Sequence, residues 1–507
     1  MSISSNESKK TWILLCLILI VGAFLRFYGL TRQSLWLDEA NGIRIAEKGF
    51  SEIINELKSD VSPPFHYFLL HLWMKVFGKG ELSVRMFVAI FGFLLIPAIY
   101  YVGSSLFNRK VGLISAFIAS IGEFHVRYSQ EVRMYSMLAL LGLFSVYFLY
   151  RAMVTDKSLS WILYIISTIL TIYTHNYGLF IATSGVVFAV IYLFIQKRIH
   201  WKFIISLGII VIIYLPWLPV FITKQYGSSA IVGWIPYMRP YLIFETFTTY
   251  CGLVFSVFSS RVNNLILLLG IVIFMFSFLL GIFSIKRYKN IFIPYIEKNM
   301  NFILIISYLF VTLAIPMLVS IKKPIFLPSR YSISAWPAFI LVLGLGLSKI
   351  KDKYILIILL ILVTFVSSVS LYWYHFISVK SYDREIAKFI DSKAEATDVI
   401  VFAPSWSDIP INYYLKTPIK QVGYPGRSLK EVVIETEPSE RKPEDIITIV
   451  RSRLGDDHGK VFLVYWRDAE WIPGIHIVKI LFDNKFKKVE DITYNNVNVT
   501  IYEDLIK

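Results

Sequence analysis

Apolar blocks recur along this chain from residue 12 to residue 376. Segments of that kind and length have few folding options, because inside a bilayer every backbone polar group must be satisfied within the protein and helices do this by themselves. A span needs roughly 17 to 25 mostly apolar residues. By that measure about eleven helices are expected, near 12–30, 82–106, 109–123, 132–152, 159–175, 177–195, 202–223, 264–285, 302–320, 331–348 and 354–376. The third and fifth are short, and the stretch 240–258 fits either a re-entrant or an interfacial segment. With 507 residues, 56% hydrophobic and a mean hydropathy of +0.62, an ordinary soluble enzyme is excluded. The chain reads as a polytopic α-helical membrane protein.

The first block follows Lys9-Lys10 in the manner of a secretory signal. It is long enough to span and no Ala-x-Ala site follows it, so an uncleaved first helix is expected. Cys16 and Cys251 are the only cysteines, which supports neither a disulfide framework nor a cysteine metal site. The net charge of +16 sits mostly in short loops between blocks. It therefore reads as topology and anionic lipid, with no nucleic acid as partner.

With the N-terminus placed in the cytoplasm, alternate loops carry Arg109-Lys110, Arg151 with Lys157, Lys197-Arg198 with Lys202, Lys286-Arg287 with Lys289, and Lys349 with Lys351 and Lys353. Those loops are expected inside. The loop 31–81, the turns at 124–131 and 175–176, the loops 224–263 and 321–330 and the tail from about 377 then lie outside. Two domains follow: a membrane domain over 1–376 with the outer loop 31–81, and an extracytoplasmic domain over 377–507. In the tail, strand patterns at 398–402 and 460–466 alternate with helical patterns at 383–393, 411–415, 444–454 and 475–483, before alternating segments near 486–502. This predicts a soluble α/β domain with a partly parallel sheet. No glycine-rich phosphate loop occurs in it.

The unusual polar residues gather on the outer side. "SLWLDEANG" at 34–42 places Asp38 and Glu39 just past the first helix. "SPPFHYFLLHLWMKVFG" at 62–78 has a proline pair suited to starting a helix, followed by His66 and His71 among aromatics, the pattern of an interfacial helix. Lipid anchoring alone accounts for that helix equally well. "EFHVRYSQEVRMYSMLALL" at 123–141 puts Arg127, Gln130 and Glu131 on one face of a helix, with Arg133 adjoining. Charges so close to a span need a wet cavity or a partner, and an anionic group held by arginine is one such partner. A local Glu131–Arg127 ion pair is the plainer alternative. "YTHNYGLF" at 173–180 and "PSRYSISAWPAF" at 328–339 add His175, Arg330 and Tyr331 on the same side. Alone, His175 reads as a capping residue and Arg330 as an interfacial anchor; together they share one face of the membrane.

In this order, Asp38-Glu39, "PPFHYFLLHLW", "RYSQEVRMYS", "THNYGLF" and "SRYSISAWPAF" resemble the family 39 type of membrane glycosyltransferases. That group has the GT-C fold and includes dolichyl-phosphate-mannose protein mannosyltransferases and the aminoarabinose transferase of lipid A. The resemblance covers roughly residues 12–350. The "WWDYG"-type motif of oligosaccharyltransferase catalytic subunits is absent.

The resemblance implies transfer of a sugar, a hexose such as mannose, from a dolichyl- or undecaprenyl-phosphate carrier to a hydroxyl of a protein, glycan or lipid acceptor on the outer face. It assigns the general base to Asp38. Glu39 would orient the acceptor, hold Asp38 or bind a cation. A lipid phosphate is already a good leaving group and needs cationic donors more than a proton, for which Arg133, Arg330 and Arg127 are the candidates. His66, Gln130, Glu131, His175 and Tyr331 are the further substrate-binding candidates. Attack opposite the phosphate fits a single inverting displacement. Asp38, Glu39, His66 and His175 could also assemble a divalent-cation site, which the resemblance leaves open. The competing reading is a transporter or lipid-linked sugar flippase, which calls for ionisable residues near the bilayer midplane and matching halves.

Overall fold

The computed structural model describes residues 5–58, 62–226, 235–253, 261–288, 291–295, 299–428, 440–454, 459–469 and 471–504. Lys289 and parts of the 224–263 loop lie outside these residues. The chain divides into two compact units, Met1–Leu30 with Ile45–Ser378, and Thr31–Arg44 with Val379–Lys507.

In the first unit all eleven apolar blocks are helical: Ser5–Phe27, Glu81–Leu106, Arg109–Ile121, Tyr135–Thr155, Ser158–Thr174, Gly178–Gln196, Trp201–Tyr214, Arg261–Ile282, Met300–Val319, Trp336–Ser348 and Lys353–Tyr372. Among the described residues eight helical stretches are long and apolar enough to cross a membrane, and 158–174 and 201–214 are shorter apolar helices. The ambiguous 240–258 stretch holds a ten-residue helix, Tyr241–Tyr250, with residues 254–258 outside the described set. Its end is tied by the Tyr250 hydroxyl to the Ser332 carbonyl and by Trp336 Nε1 to the Tyr250 carbonyl at 3.2 Å.

Close helix contacts rest on small residues, as expected where lipid removes any hydrophobic drive between helices. A Cβ on Gly344 would lie 2.0 Å from Ser115 Oγ, and one on Gly346 would lie 1.9 Å from the Ser277 carbonyl oxygen. Several lysines of the basic loops close helix ends. Lys349 Nζ donates to the Leu280 carbonyl at 2.8 Å, and Lys110 Nζ donates to the carbonyls of Ser348 and Ile350 at 2.8 and 2.9 Å. Cations there satisfy carbonyls that a helix C-terminus leaves unpaired.

The stretch 31–81 is largely helical, with helices Leu37–Ala46, Phe50–Leu57 and Phe65–Phe77. Pro64 caps the last of these, which buries His66, Tyr67, Leu70, His71 and Met74 on one face and exposes Leu72, Val76 and Phe77 on the other. Between the Arg261–Ile282 and Met300–Val319 helices, β1 (Ser284–Tyr288) and β2 (Ile291–Tyr295) form an antiparallel hairpin that no sequence signal announced.

The second unit has one five-stranded sheet of β3 (Val399–Ala403), β4 (Lys420–Gly423), β5 (Val461–Trp466), β6 (Phe486–Tyr494) and β7 (Val497–Asp504), in the order β4-β3-β5-β7-β6. β3 pairs parallel with both β4 and β5, while β7 runs antiparallel to β5 and to β6. The continuous apolar runs of β3 and β5 follow from burial on both faces. Helices Asp383–Lys393, Asp408–Tyr414, Pro443–Leu454 and Ile475–Lys485 complete the α/β unit. Residues 31–35 are fastened to it. Ser34 donates to the Ser381 carbonyl (2.6 Å), Leu35 N–H to the Tyr414 hydroxyl oxygen (2.7 Å), and Arg384 to the carbonyls of Thr31 and Arg32 (2.8 and 2.9 Å).

Candidate functional site

The stretch 123–141 is not one helix. A short helix, Glu123–Ser129, ends at Gln130, residues 130–134 leave helical geometry, and the next helix starts at Tyr135. The expected shared helical face of Arg127, Gln130 and Glu131 therefore does not form. The reason is tertiary. Gln130 Nε2 lies 2.9–3.1 Å from the carbonyls of Leu25, Arg26 and Tyr28, and its oxygen accepts from the Tyr374 hydroxyl at 3.0 Å. Ser136 Oγ reaches back to the Tyr128 carbonyl at 2.9 Å. Both bonds hold the chain out of the helix that its sequence favours.

Arg127 pairs with Glu123, its Nε at 2.7 Å and Nη2 at 2.5 Å from one carboxylate oxygen. The sequence offers Arg127 to a carrier phosphate, with Glu131 as the plainer local partner; the carboxylate it meets is Glu123. Trp373 and Tyr374 cover the guanidinium with ring centroids at 5.9 and 5.4 Å. Glu123 holds the Arg127 cation well above its ordinary pKa against the opposing cost of burial. Arg127 and Gln130 thus spend their polar atoms inside the protein.

Arg133 lies elsewhere. Its side chain is buried, and Nη1 lies 3.3 Å from the Tyr67 hydroxyl, bringing the 65–77 helix to it. Two imidazoles feel its charge. Burial, with Arg133 adding to it, lowers His66 to about 3 and His175 to about 3. Both rings are neutral at physiological pH. His175 Nδ1 accepts the Tyr177 N–H at 3.0 Å, so its proton resides on Nε2. This is the capping role open to it from sequence, and it fixes the tautomer. Both ring nitrogens of His66 are buried without a hydrogen-bond partner among the described residues, its contacts being the rings of Tyr67 and Phe87. A buried imidazole nitrogen left without a partner costs about 1–3 kcal/mol.

Aromatic hydroxyls complete the cluster. His175 packs on Tyr331 at 5.4 Å and Tyr135 at 6.2 Å, and Tyr331 packs on Tyr177 at 5.4 Å. Arg330 and Glu131 both act electrostatically on Tyr128 and Tyr135. Four stretches far apart in sequence, 65–67, 127–135, 175–177 and 330–331, so converge within the first unit. His71 stands apart from them, its Nδ1 2.8 Å from the Ala46 carbonyl.

Asp38 and Glu39 belong to the second unit, in the first turn of the Leu37–Ala46 helix. Acidic side chains there favour the positive end of the helix dipole. Glu39 is fully buried and accepts the Trp36 N–H at 3.4 Å, bracing the turn, while Asp38 is half-buried. Asn41 fixes Arg44 one turn on, at 2.7 and 3.0 Å. Among the described residues no group of three or more His, Cys, Asp or Glu side chains could hold a metal ion.

Sequence reasoning overlooked Tyr67, Tyr135, Tyr177 and a buried arginine. Arg26 lies within the first apolar block, and its five donors reach the carbonyls of Gly22, Gly92, Ala119 and Ser120 and His125 Nδ1 at 2.9–3.1 Å. The His125 ring stacks on Trp336 at 4.8 Å. A lone charge inside a span was the available signal.

Residues 61–222 match the family described as dolichyl-phosphate-mannose-protein mannosyltransferase. No curated protein sequence matches the chain. Among solved structures, ArnT from Cupriavidus metallidurans in the apo state aligns with a TM-score of 0.62 at 12% identity over 98% of both chains. The same protein bound to undecaprenyl phosphate aligns at 0.55, with 13% identity and the same coverage. The archaeal oligosaccharyltransferase AglB from Archaeoglobus fulgidus, in complex with an inhibitory peptide and a dolichol-phosphate, aligns at 0.53 with 11% identity over 98% of this chain and 74% of that one. The chain has the GT-C fold of these membrane proteins, and its residues 61–222 carry the sequence pattern of the dolichyl-phosphate-mannose-protein mannosyltransferases.

Proposed function

We propose that this protein is a glycosyltransferase that moves a sugar, a hexose such as mannose, from a polyprenyl-phosphate carrier to a hydroxyl acceptor on the extracytoplasmic face. The observation that carries the reading is the convergence of Arg133, Tyr67, His66 and His175 at the ends of apolar helices. All four residues fall inside the stretch that matches the mannosyltransferase family. An arginine beside apolar helices suits a ligand whose phosphate is charged and whose tail is hydrocarbon. The ArnT structure bound to undecaprenyl phosphate and the AglB complex with dolichol-phosphate, which share the fold, support a carrier of this class.

In this reading Arg133 and Arg330 hold the carrier phosphate, and neutral His66 and His175 hydrogen-bond the sugar or the phosphate oxygens. Asp38 takes the acceptor proton as the hydroxyl attacks the anomeric carbon opposite the departing phosphate, giving inversion in one step. Glu39 keeps the turn that presents Asp38. Arg127 and Gln130 act by positioning the 130–134 segment.

Incubation of the purified protein with radiolabelled polyprenyl-phosphate hexoses and a membrane extract tests the proposal. Label should pass to an acceptor and free polyprenyl phosphate should accumulate in equal amount. Release of labelled carrier to the opposite leaflet of proteoliposomes, with its sugar intact, would favour a flippase instead.

A further inference from the structure

The end of the first unit remote from Arg133 carries a groove of about 560 Å³. Three helices build it. Ser5–Phe27 contributes Leu14, Leu17 and Val21, Arg109–Ile121 contributes Leu113 and Phe117, and Lys353–Tyr372 contributes Leu356 and Leu360. The spacing along each is three or four residues, so each helix presents one apolar stripe to it. Leu14, Leu17 and Val21 are each about half exposed, as lipid-facing side chains would be. Its two charged lining groups, Arg109 and Lys110, are both basic. Arg109 and Lys110 stand at the start of their helix, where the Ser5–Phe27 and Lys353–Tyr372 helices also begin.

Dimensions and charge select the occupant. From Arg109 to Ser120, the lining residues of one helix extend over about 16 Å at 1.5 Å per residue, close to the ~15 Å of hydrocarbon in one leaflet. An acyl chain that fills the groove from its basic end therefore stops near the bilayer midplane, and its headgroup lies at the interface beside Arg109. Lys110 is already committed to the carbonyls of Ser348 and Ile350. Asp352 is committed to the N–H groups of Tyr354 and Ile355 at the start of its own helix. Arg109 is exposed and remains the cation for a headgroup, aided by the positive end of its helix.

We propose that this groove holds an acyl chain of an anionic phospholipid from the leaflet that faces Lys9, Lys10 and Arg109, with the lipid phosphate paired to Arg109. Bound there, the lipid wedges the first helix against the two helices that follow the Glu81–Leu106 and Trp336–Ser348 segments. The carrier lipid of the proposed reaction is a different ligand, since its phosphate belongs at the opposite helix ends.

The test uses the full chain reconstituted in nanodiscs of equal phosphatidylglycerol and phosphatidylcholine, then released into detergent for native mass spectrometry. The wild-type protein should retain phosphatidylglycerol over phosphatidylcholine by roughly fivefold, the effect of one basic residue at an anionic surface. Arg109→Gln should bring that ratio to about one, Arg109→Lys should preserve it, and Leu17→Trp, which fills the groove, should lose both lipids. Elution volume and melting temperature of each variant show that it is folded. Equal retention of both lipids by the wild type, an unchanged ratio in Arg109→Gln, or a polyprenyl phosphate as the retained species would overturn the assignment.

Discussion

Arg133 is buried beside two imidazoles that burial, with its charge adding, keeps neutral, and that arrangement makes its own contribution separable from theirs. Removing the guanidinium in Arg133→Ala should weaken carrier binding by roughly 10- to 100-fold, as loss of a hydrogen bond to a charged group does, and should lower turnover as well. Equilibrium binding of a fluorescent polyprenyl phosphate reads the first effect directly. A second residue-scale prediction concerns Asp383, near the strap that holds residues 31–35. Burial raises its carboxyl to about 7, with Glu385 adding and the Ser381 hydroxyl opposing. The folded state thus binds this proton more tightly than the unfolded chain does. The stabilisation is complete below about pH 4 and is lost as pH rises through 7, amounting to at most about 4 kcal/mol. Amides of the Asp383–Lys393 helix, corrected for intrinsic exchange, should be better protected at pH 5 than at pH 7.5, and Asp383→Asn should remove the difference. The identities of Arg133, His66 and His175 were legible because polar residues at span ends are few; Asp383 was not, because only burial distinguishes it from any other helix-start aspartate.

Among the elements, the apolar blocks were readable as helices, since length and apolarity decide them and little competes inside lipid; their extents were less so, for the block 202–223 is helical as Trp201–Tyr214, and eight stretches among the described residues are long and apolar enough to cross a membrane. The break at 130–134 was not. "SQEVRM" contains good helix formers, and what stops the helix is Gln130 binding the end of the first helix together with Ser136 binding Tyr128. Both contacts are invisible to periodicity. β4 was missed because four residues, "KQVG", carry too little pattern. Arg26 joins the first helix to the Glu81–Leu106 and Arg109–Ile121 helices through carbonyls alone. Arg26→Met should therefore leave the helix-end carbonyls of Ala119 and Ser120 without this donor, at about 1–3 kcal/mol each, and the protein should lose its monodisperse elution peak in detergent. Arg26→Lys, with three donors, should fall between. Wild-type behaviour in Arg26→Met would show that the buried staple contributes little.

For the whole molecule, the least legible feature is the grouping of residues 31–44 with 379–507, because its bonds join positions about 350 residues apart. A consequence follows for the tail. Deleting residues 381–507 removes Tyr414 and Arg384, which fasten the segment that carries Asp38. Turnover should vanish in the truncated protein, while binding of carrier lipid to the first unit persists. Carrier binding lost from a truncation that elutes as a folded species would contradict this division of labour. The central claim, that Asp38 is the base of a sugar transfer from a lipid phosphate, has its most direct test in Asp38→Asn. That change keeps the shape and removes the basic oxygen. At saturating carrier and acceptor the turnover number should fall by roughly 10²- to 10⁴-fold, with carrier affinity unchanged. Near-normal turnover in Asp38→Asn would contradict the account and move the base to another carboxylate.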